Sequence, residues 1–397
     1  MIVDLFAGPG GWSHALTVLG SRDIGLEWDE WACKTRAAAG QLTVRTDVSA
    51  YPVEPFLGKT TGLIASPPCQ AFSRAGKRLG LLDQPLVHEA VAKLAAGQDP
   101  RERLLAACRD PRSLLAAEPM RYLRALHAVG QPEWVVMEEV PDVLPLWKQY
   151  ASVLRGFGFS VWTGLLNSAD FGVPQTRTRA ILLASRVRTA QPPEPTHARN
   201  AEPESLFGPG RREWTSMAEA LGWGATDRPV PTVCAGGGPG GGPEPFPSGS
   251  RQTLANARTR GTWTPHPKAT PHPGAPHAES GLSWSLRSNN QTNATTRLLS
   301  EPAGTLFFGH RSNECTWVAT PRHPGSVNEL TVVPDPIRIT ASEAGILQTF
   351  PTDYPWAGNK SQQFQQIGNA VPPRLAARLL APHLGATPMP DDFSLAA

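Results

Sequence analysis

Cysteine is scarce in this 397-residue chain: Cys33, Cys69, Cys108, Cys234 and Cys315 are scattered along it, and no C-x-x-C pair occurs. An odd, dispersed set argues against a disulfide framework and gives no zinc-ligand spacing, so reduced thiols and no metal are expected. His266, His272 and His277 stand among prolines without ligand spacing, which leaves the metal expectation unchanged. Apolar runs are short, none approaching the roughly 18 residues of a membrane-spanning helix. Met1-Ile2-Val3-Asp4-Leu5-Phe6 has neither the basic region nor the apolar core of a signal peptide. A cytoplasmic protein is expected. Charge of one sign is also lacking, since the formal net charge is only +3. Residues 245 to 300 nevertheless hold six Lys or Arg against one acid, Glu279, and read either as a local basic surface or as a solvated loop.

What is present begins with an apolar strand, Ile2 to Phe6, running into Ala7-Gly8-Pro9-Gly10-Gly11 and then into helical sequence from Trp12 to Leu19. Strand, glycine turn and helix open a nucleotide-binding α/β unit, in which glycines allow a tight turn and close backbone approach to a ligand. The turn is neither the dinucleotide G-x-G-x-x-G nor a P-loop, because no G-K-[ST] follows. Two further strands end at Glu27-Trp28-Asp29 and Thr46-Asp47-Val48. Acids thus recur at the carboxyl ends of successive strands, where open α/β sheets bind ligands. Taken singly, Glu27 and Asp47 read first as helix caps or surface acids, and their register with the glycine turn is what raises them to ligand-binding candidates.

The central stretch is Ser66-Pro67-Pro68-Cys69-Gln70-Ala71-Phe72-Ser73, followed by Arg74, after the apolar run Gly62 to Ala65. Two prolines at a strand exit fix an extended loop start that holds Cys69 at the sheet's edge. A thiolate there is a nucleophile; a buried structural thiol is the alternative for any single cysteine. Val87 to Cys108 reads as one or two helices broken near Gly97 to Pro100, and Met120, Leu123, Leu126 and Val129 keep a spacing for packing on a sheet. The strand Trp134 to Met137 ends in Glu138-Glu139-Val140-Pro141, two carboxylates with acid/base potential or a solvated turn. In Phe171-Gly172-Val173-Pro174-Gln175-Thr176-Arg177-Thr178-Arg179, alternation puts Gln175, Arg177 and Arg179 on one face. Twenty of the 56 residues from Ala225 to Ser280 are Gly or Pro, which argues for a loop-built module. Asp227 to Val233 and Ser300 to Leu306 look like two versions of one turn-and-strand unit, and a last apolar helix, Arg374 to Leu384, is expected to pack back on the N-terminal part.

The ordered set Asp4-Leu5-Phe6-Ala7-Gly8-Pro9-Gly10-Gly11, Pro67-Pro68-Cys69-Gln70, Glu138-Glu139-Val140, Gln175-Thr176-Arg177-Thr178-Arg179 and Gly368-Asn369-Ala370-Val371-Pro372-Pro373 resembles the DNA (cytosine-5) methyltransferase family. The resemblance implies an α/β fold: a Rossmann-like S-adenosylmethionine-dependent methyltransferase sheet with a smaller, irregular target-recognition domain. Residues 1–188 would be the first part of the catalytic domain, 189–336 the recognition domain and 337–397 the return to the catalytic domain. S-adenosylmethionine would meet Asp4, Phe6, Gly8, Gly10, Gly11, Glu27, Trp28, Asp47, Val48, Pro67, Asn369 and Val371. Cys69 would be the nucleophile, Glu138 the acid on the base, and Arg177 and Arg179 would hold cytosine O2 and phosphate. Gln70, Ser73, Arg74 and Gln175 would face double-stranded DNA. A monomeric modification enzyme is implied, with any cognate restriction endonuclease acting separately. The chain departs from the family in Glu139, where Asn is usual, and in a lengthened stretch between Gln70 and Asp110.

Overall fold

The computed structural model describes residues 1–72, 79–205, 209–222, 282–288, 294–306, 315–321 and 337–386. Eight strands come first: β1 (Ile2–Leu5), β2 (Asp23–Glu27), β3 (Thr43–Arg45), β4 (Gly62–Ala65), β5 (Trp134–Glu139), β6 (Ser160–Asn167), β7 (Gln175–Thr176) and β8 (Thr178–Ser185). All but β7 form one sheet in the order β3-β2-β1-β4-β5-β8-β6. Strands β1 to β5 run parallel, whereas β8 is antiparallel to both β5 and β6. All five parallel strands therefore end at one edge, and antiparallel β8 begins there.

Side chains alternate across each strand, so both faces must be covered. Val3, Leu5, Leu63, Ala65, Val135, Met137 and Leu182 face one layer. That layer contains α3 (Leu79–Ala95), α5 (Glu118–His127) and α6 (Leu144–Gly156), with the short α4 (Arg101–Ala107) between the first two. Ile2, Ile64, Val136, Ile181 and Leu183 face the other layer, built from α1 (Gly11–Val18) and the chain's last described helix, Pro373–Leu384. That helix packs on the N-terminal part, as its unpartnered apolar sequence requires. Helix α5 keeps Met120, Leu123 and Leu126 in the core. Val129 does not join them: the helix ends at His127, the chain turns at Gly130 with a left-handed φ of 76°, and Val129 is 47% exposed.

Helix α2 (Glu30–Ala38) starts at Asp29, whose side chain accepts from Ala32 N at 2.7 Å. Its Arg36 is wholly buried and pairs with Asp23 at 3.3 Å. The guanidinium also donates to Ser13 Oγ and Thr43 Oγ1, both at 2.8 Å, and Ser13 Oγ donates to Asp23 at 2.7 Å. Removing Asp23 strands a buried cation, so Asp23→Ala is expected to cost about 3–5 kcal/mol in denaturant unfolding. A loss below about 1 kcal/mol would contradict that assignment.

Beyond Ser185, the short strands β9 (His197–Ala198) and β10 (Arg212–Glu213) pair with each other, and α7 (Met217–Leu221) follows. A second, antiparallel sheet contains β11 (Leu282–Arg287), β12 (Thr296–Leu298), β14 (Thr316–Pro321) and β15 (Ile337–Arg338), while β13 (Ala303–Gly304) pairs with β7. Trp284, Leu286 and Trp317 pack with Met217 and Leu221 of α7 and with Leu347 of α8 (Ala341–Leu347). Residues 225–280, expected to be loop-built, lie outside the described residues, as does the first of the two similar turn-and-strand units; the second supplies β13. Residues 360–369 form a helix that the glutamine-rich sequence hid. Its signal was the capping box of Asn359 and Gln362, each side chain bonding the other's backbone N–H. Among the described residues, no helix is long and apolar enough to cross a membrane.

Candidate active site

The carboxyl edge of the main sheet collects most of the residues singled out by sequence. At the end of β1, Phe6 adopts a left-handed φ of 61°, and Gly10 reaches 99°, where a side chain would be strained. Gly11 is required for another reason, since a Cβ there would lie 2.1 Å from the Val371 carbonyl oxygen. Through that contact the return segment closes on the glycine turn, and Tyr354 assists by donating to Pro9 O at 2.6 Å.

Glu27, ending β2, accepts from Gly8 N and Asp29 N, both at 2.7 Å. Burial nevertheless raises its pKa, against the lowering effect of those N–H donors. Trp28 beside it is 70% exposed. Asp4 is completely buried, and neither carboxylate oxygen has a partner among the described residues. Burial pushes its pKa well up, with Asp23 adding to the rise and Arg36 opposing it. Asp47 accepts from Ser49 N and Ser49 Oγ, both at 2.8 Å and both on one carboxylate oxygen, while Val48 is buried.

Strand β4 delivers the proline loop. Ser66 N donates to Leu5 O at 3.2 Å and Ser66 Oγ accepts from Trp12 Nε1 at 2.9 Å, which pins the loop to β1 and α1. Pro67 is buried, and the backbone of Cys69 opens a single 3-10 turn, Cys69–Ala71. Gln70 Oε1 receives Arg112 Nη1 at 3.4 Å. Ser73 and Arg74 lie outside the described residues.

Strand β5 lies beside β4 and carries both glutamates to the same edge. The pleat sends them to opposite faces: Glu138 follows Trp134 and Val136, and Glu139 follows Val135 and Met137. Glu138 pairs with Arg179 at 2.9 Å, both nearly buried. Glu139 is fully buried; one oxygen accepts from Val140 N, and the other has no partner among the described residues. Burial raises its pKa well above the usual carboxylate range, and the Glu138 charge adds to the rise.

Alternation along Gln175, Arg177 and Arg179 holds, and all three are buried. Their partners divide them. Arg179 meets Glu138, whereas Arg177 Nη1 donates to Gly368 O at 3.1 Å, next to Asn369 at the end of its helix. Gln175 sits where β7 pairs with β13, and both ends of its buried amide are without partners among the described residues. Among those residues, no cluster of His, Cys, Asp or Glu could hold a metal ion.

The edge thus offers an aromatic residue after each of β1 and β2 (Phe6 and Trp28), a carboxylate held by backbone N–H groups, a buried Asp4 carboxyl unpartnered among the described residues, and open space at Gly8, where an added Cβ would meet nothing within 4 Å. Such a set fits a ligand with an aromatic base, ribose hydroxyls and a cationic end.

Comparison with known proteins gives a consistent picture. The family described as C-5 cytosine-specific DNA methylase matches residues 1–94, 104–217 and 272–383. The type II methyltransferase M.DdeI of Desulfomicrobium norvegicum is 25% identical over 95% of this chain and 87% of its own. M.HgiDI of Herpetosiphon aurantiacus, another type II methyltransferase, is 24% identical over 94% of this chain and 91% of its own. Among solved structures, a candidate DNA modification methyltransferase encoded within an Escherichia coli prophage aligns with a TM-score of 0.52 at 20% identity, covering 96% of this chain and 97% of that one. The Dnmt2 methyltransferase of S. pombe aligns at 0.50 and 15% identity, covering 96% and 98%. The likeness to those two structures is one of fold.

Proposed function

This chain belongs to the C-5 cytosine-specific DNA methylases, and from that premise we propose that it methylates cytosine within one short sequence of double-stranded DNA through a Cys69–C6 adduct, with the target base turned out of the helix. Methylation of cytosine C5 with S-adenosylmethionine is the activity of the family. The observation that carries the finer reading is the buried Glu138–Arg179 pair at 2.9 Å, its Glu138 on β5, next to the strand that delivers Cys69.

When bound, S-adenosylmethionine supplies an electrophilic methyl group. Phe6 and Trp28 would offer ring faces to its adenine, Asp47 would accept from the adenine amine, and Glu27 would accept from the ribose hydroxyls. Gly8, Gly10 and Gly11 would give backbone access, with Pro67 and Val48 lining the pocket. Asp4, Asn369 and Val371 would close the methionine end, Arg177 steadying the carbonyl before Asn369.

Cytosine C5 is a poor nucleophile in the aromatic ring. The Cys69 thiolate adds to C6, forming a C–S bond and pushing an electron pair toward C5, the atom that is methylated. Glu138 holds a proton at N3 and accepts from the exocyclic amine, which neutralises charge as the ring receives the pair. Arg179 orients Glu138 and faces O2. Once C5 carries the methyl group that the bound cofactor would supply, loss of the C5 proton to water returns an electron pair to the ring, the C6–S bond breaks, and Cys69 leaves as thiolate. Attack perpendicular to the ring cannot occur within a stacked duplex, so the base must be extruded.

Gln70, Ser73, Arg74 and Gln175 are assigned to DNA. The division at 188 and 336 into catalytic and recognition parts belongs to the same proposal, as do a monomeric state and a cognate endonuclease acting separately. The test is bisulfite sequencing of DNA from a host lacking cytosine methylation after expression of this chain. Methylcytosine confined to one recurring short sequence is expected. An unmethylated genome in the presence of folded protein would overturn the DNA assignment.

A further inference from the structure

The family match is interrupted over residues 95–103, and the chain uses this unmatched stretch in a defined way. It contains Arg101, the first residue of α4, held on one side by Asp99 at 2.6 Å. On the other side Arg101 Nη1 reaches Glu118 at 3.0 Å, a carboxylate that is 3% exposed and also binds Arg121 at 3.0 Å. The two guanidinium groups do not end there. Arg101 Nη1 donates to Ser49 O at 2.9 Å, and Arg121 Nη2 donates to Val48 O at 2.6 Å. The hydroxyl of buried Tyr122 shares its one proton between Val48 O at 3.1 Å and Tyr51 O at 3.3 Å. Every one of these donors grips the backbone of the turn that begins with Asp47.

We propose that Arg101, with Arg121 on the shared Glu118, is a positioning residue that fixes Asp47 for the adenine amine of the cofactor. The inference rests on the reading that places adenine at Asp47. The physical case is one of division of labour within the turn. One oxygen of Asp47 is spent on Ser49, and its own carbonyl is taken by Ala50 N and Tyr51 N. The carbonyls of Val48 and Ser49 therefore decide how the turn sits, and charged donors on a buried carboxylate hold them more firmly than water would. A carboxylate held in place loses less freedom when it accepts from a ligand.

Calorimetric titration of the full chain with S-adenosylmethionine tests this, using Arg101→Met, Arg101→Lys and Asp47→Ala. Arg101→Met is expected to weaken binding by about tenfold, the equivalent of one charged hydrogen bond. The turnover rate at saturating cofactor should stay near that of the parent. The penalty should vanish with an analogue whose purine lacks the 6-amino group, because Asp47 then has nothing to receive. Arg101→Lys keeps the charge on Glu118 and should show a smaller loss with the same dependence on the amino group; it carries the test if Arg101→Met does not fold. An equal penalty for both cofactors would mean a merely structural role and overturn the proposal. So would unchanged affinity in Arg101→Met alongside weakened binding in Asp47→Ala. Unchanged affinity in Asp47→Ala would instead overturn the placement of adenine, and this inference with it.

Discussion

Cys69→Ser is expected to abolish methyl transfer, by on the order of 10⁴-fold or more in a single turnover, while S-adenosylmethionine still binds. A serine hydroxyl at neutral pH is a far weaker nucleophile than a thiolate, and it needs a general base that the thiolate does not. The substitution is small, and the loop is held elsewhere: Ser66 bonds Leu5 and Trp12, and Phe72 is buried in the core. Loss of activity should therefore appear without loss of fold. Methyl transfer at the parent rate would exclude the covalent route.

Glu138→Gln should slow transfer by about 10²- to 10⁴-fold, the range spanned by removing a positioned acid or a charge-stabilising group. The amide keeps the shape and one acceptor, but it cannot share a proton with N3. It also leaves Arg179, which is 9% exposed at its side chain, without its anionic partner. Rate and folding are separable by measuring thermal unfolding beside single-turnover kinetics. A rate within about twofold of the parent would remove Glu138 from the acid role.

Much of this site was legible from residue order. The glycine turn, the acids at successive strand ends and the proline-delivered cysteine all follow from rules about where a parallel sheet binds ligands. Alternation correctly grouped Gln175, Arg177 and Arg179, but no one-dimensional pattern could separate their partners. Arg177 meets Gly368, 191 positions away, and only the three-dimensional fold reveals it. The same holds for Glu138 and Glu139, adjacent in sequence and yet on opposite faces of the sheet. The helix at 360–369 escaped because a run of glutamines gives a weak apolar stripe, and its capping box was the usable signal. Val129 erred in the other sense: the three-residue spacing ran on past His127, where the helix ends before Gly130 turns the chain.

The cover of one sheet face comes from the two ends of the chain, α1 and the helix Pro373–Leu384. During synthesis the first of these emerges long before the second. Until the second arrives, Ile64, Val136, Ile181 and Leu183 have no complete lid. The nascent polypeptide thus carries an open apolar wall while the residues between the two helices are translated, a state prone to aggregation and suited to chaperone shelter. Completing that face demands contacts between α1 and a helix that follows every other described strand and helix, long-range pairing of the kind that slows folding.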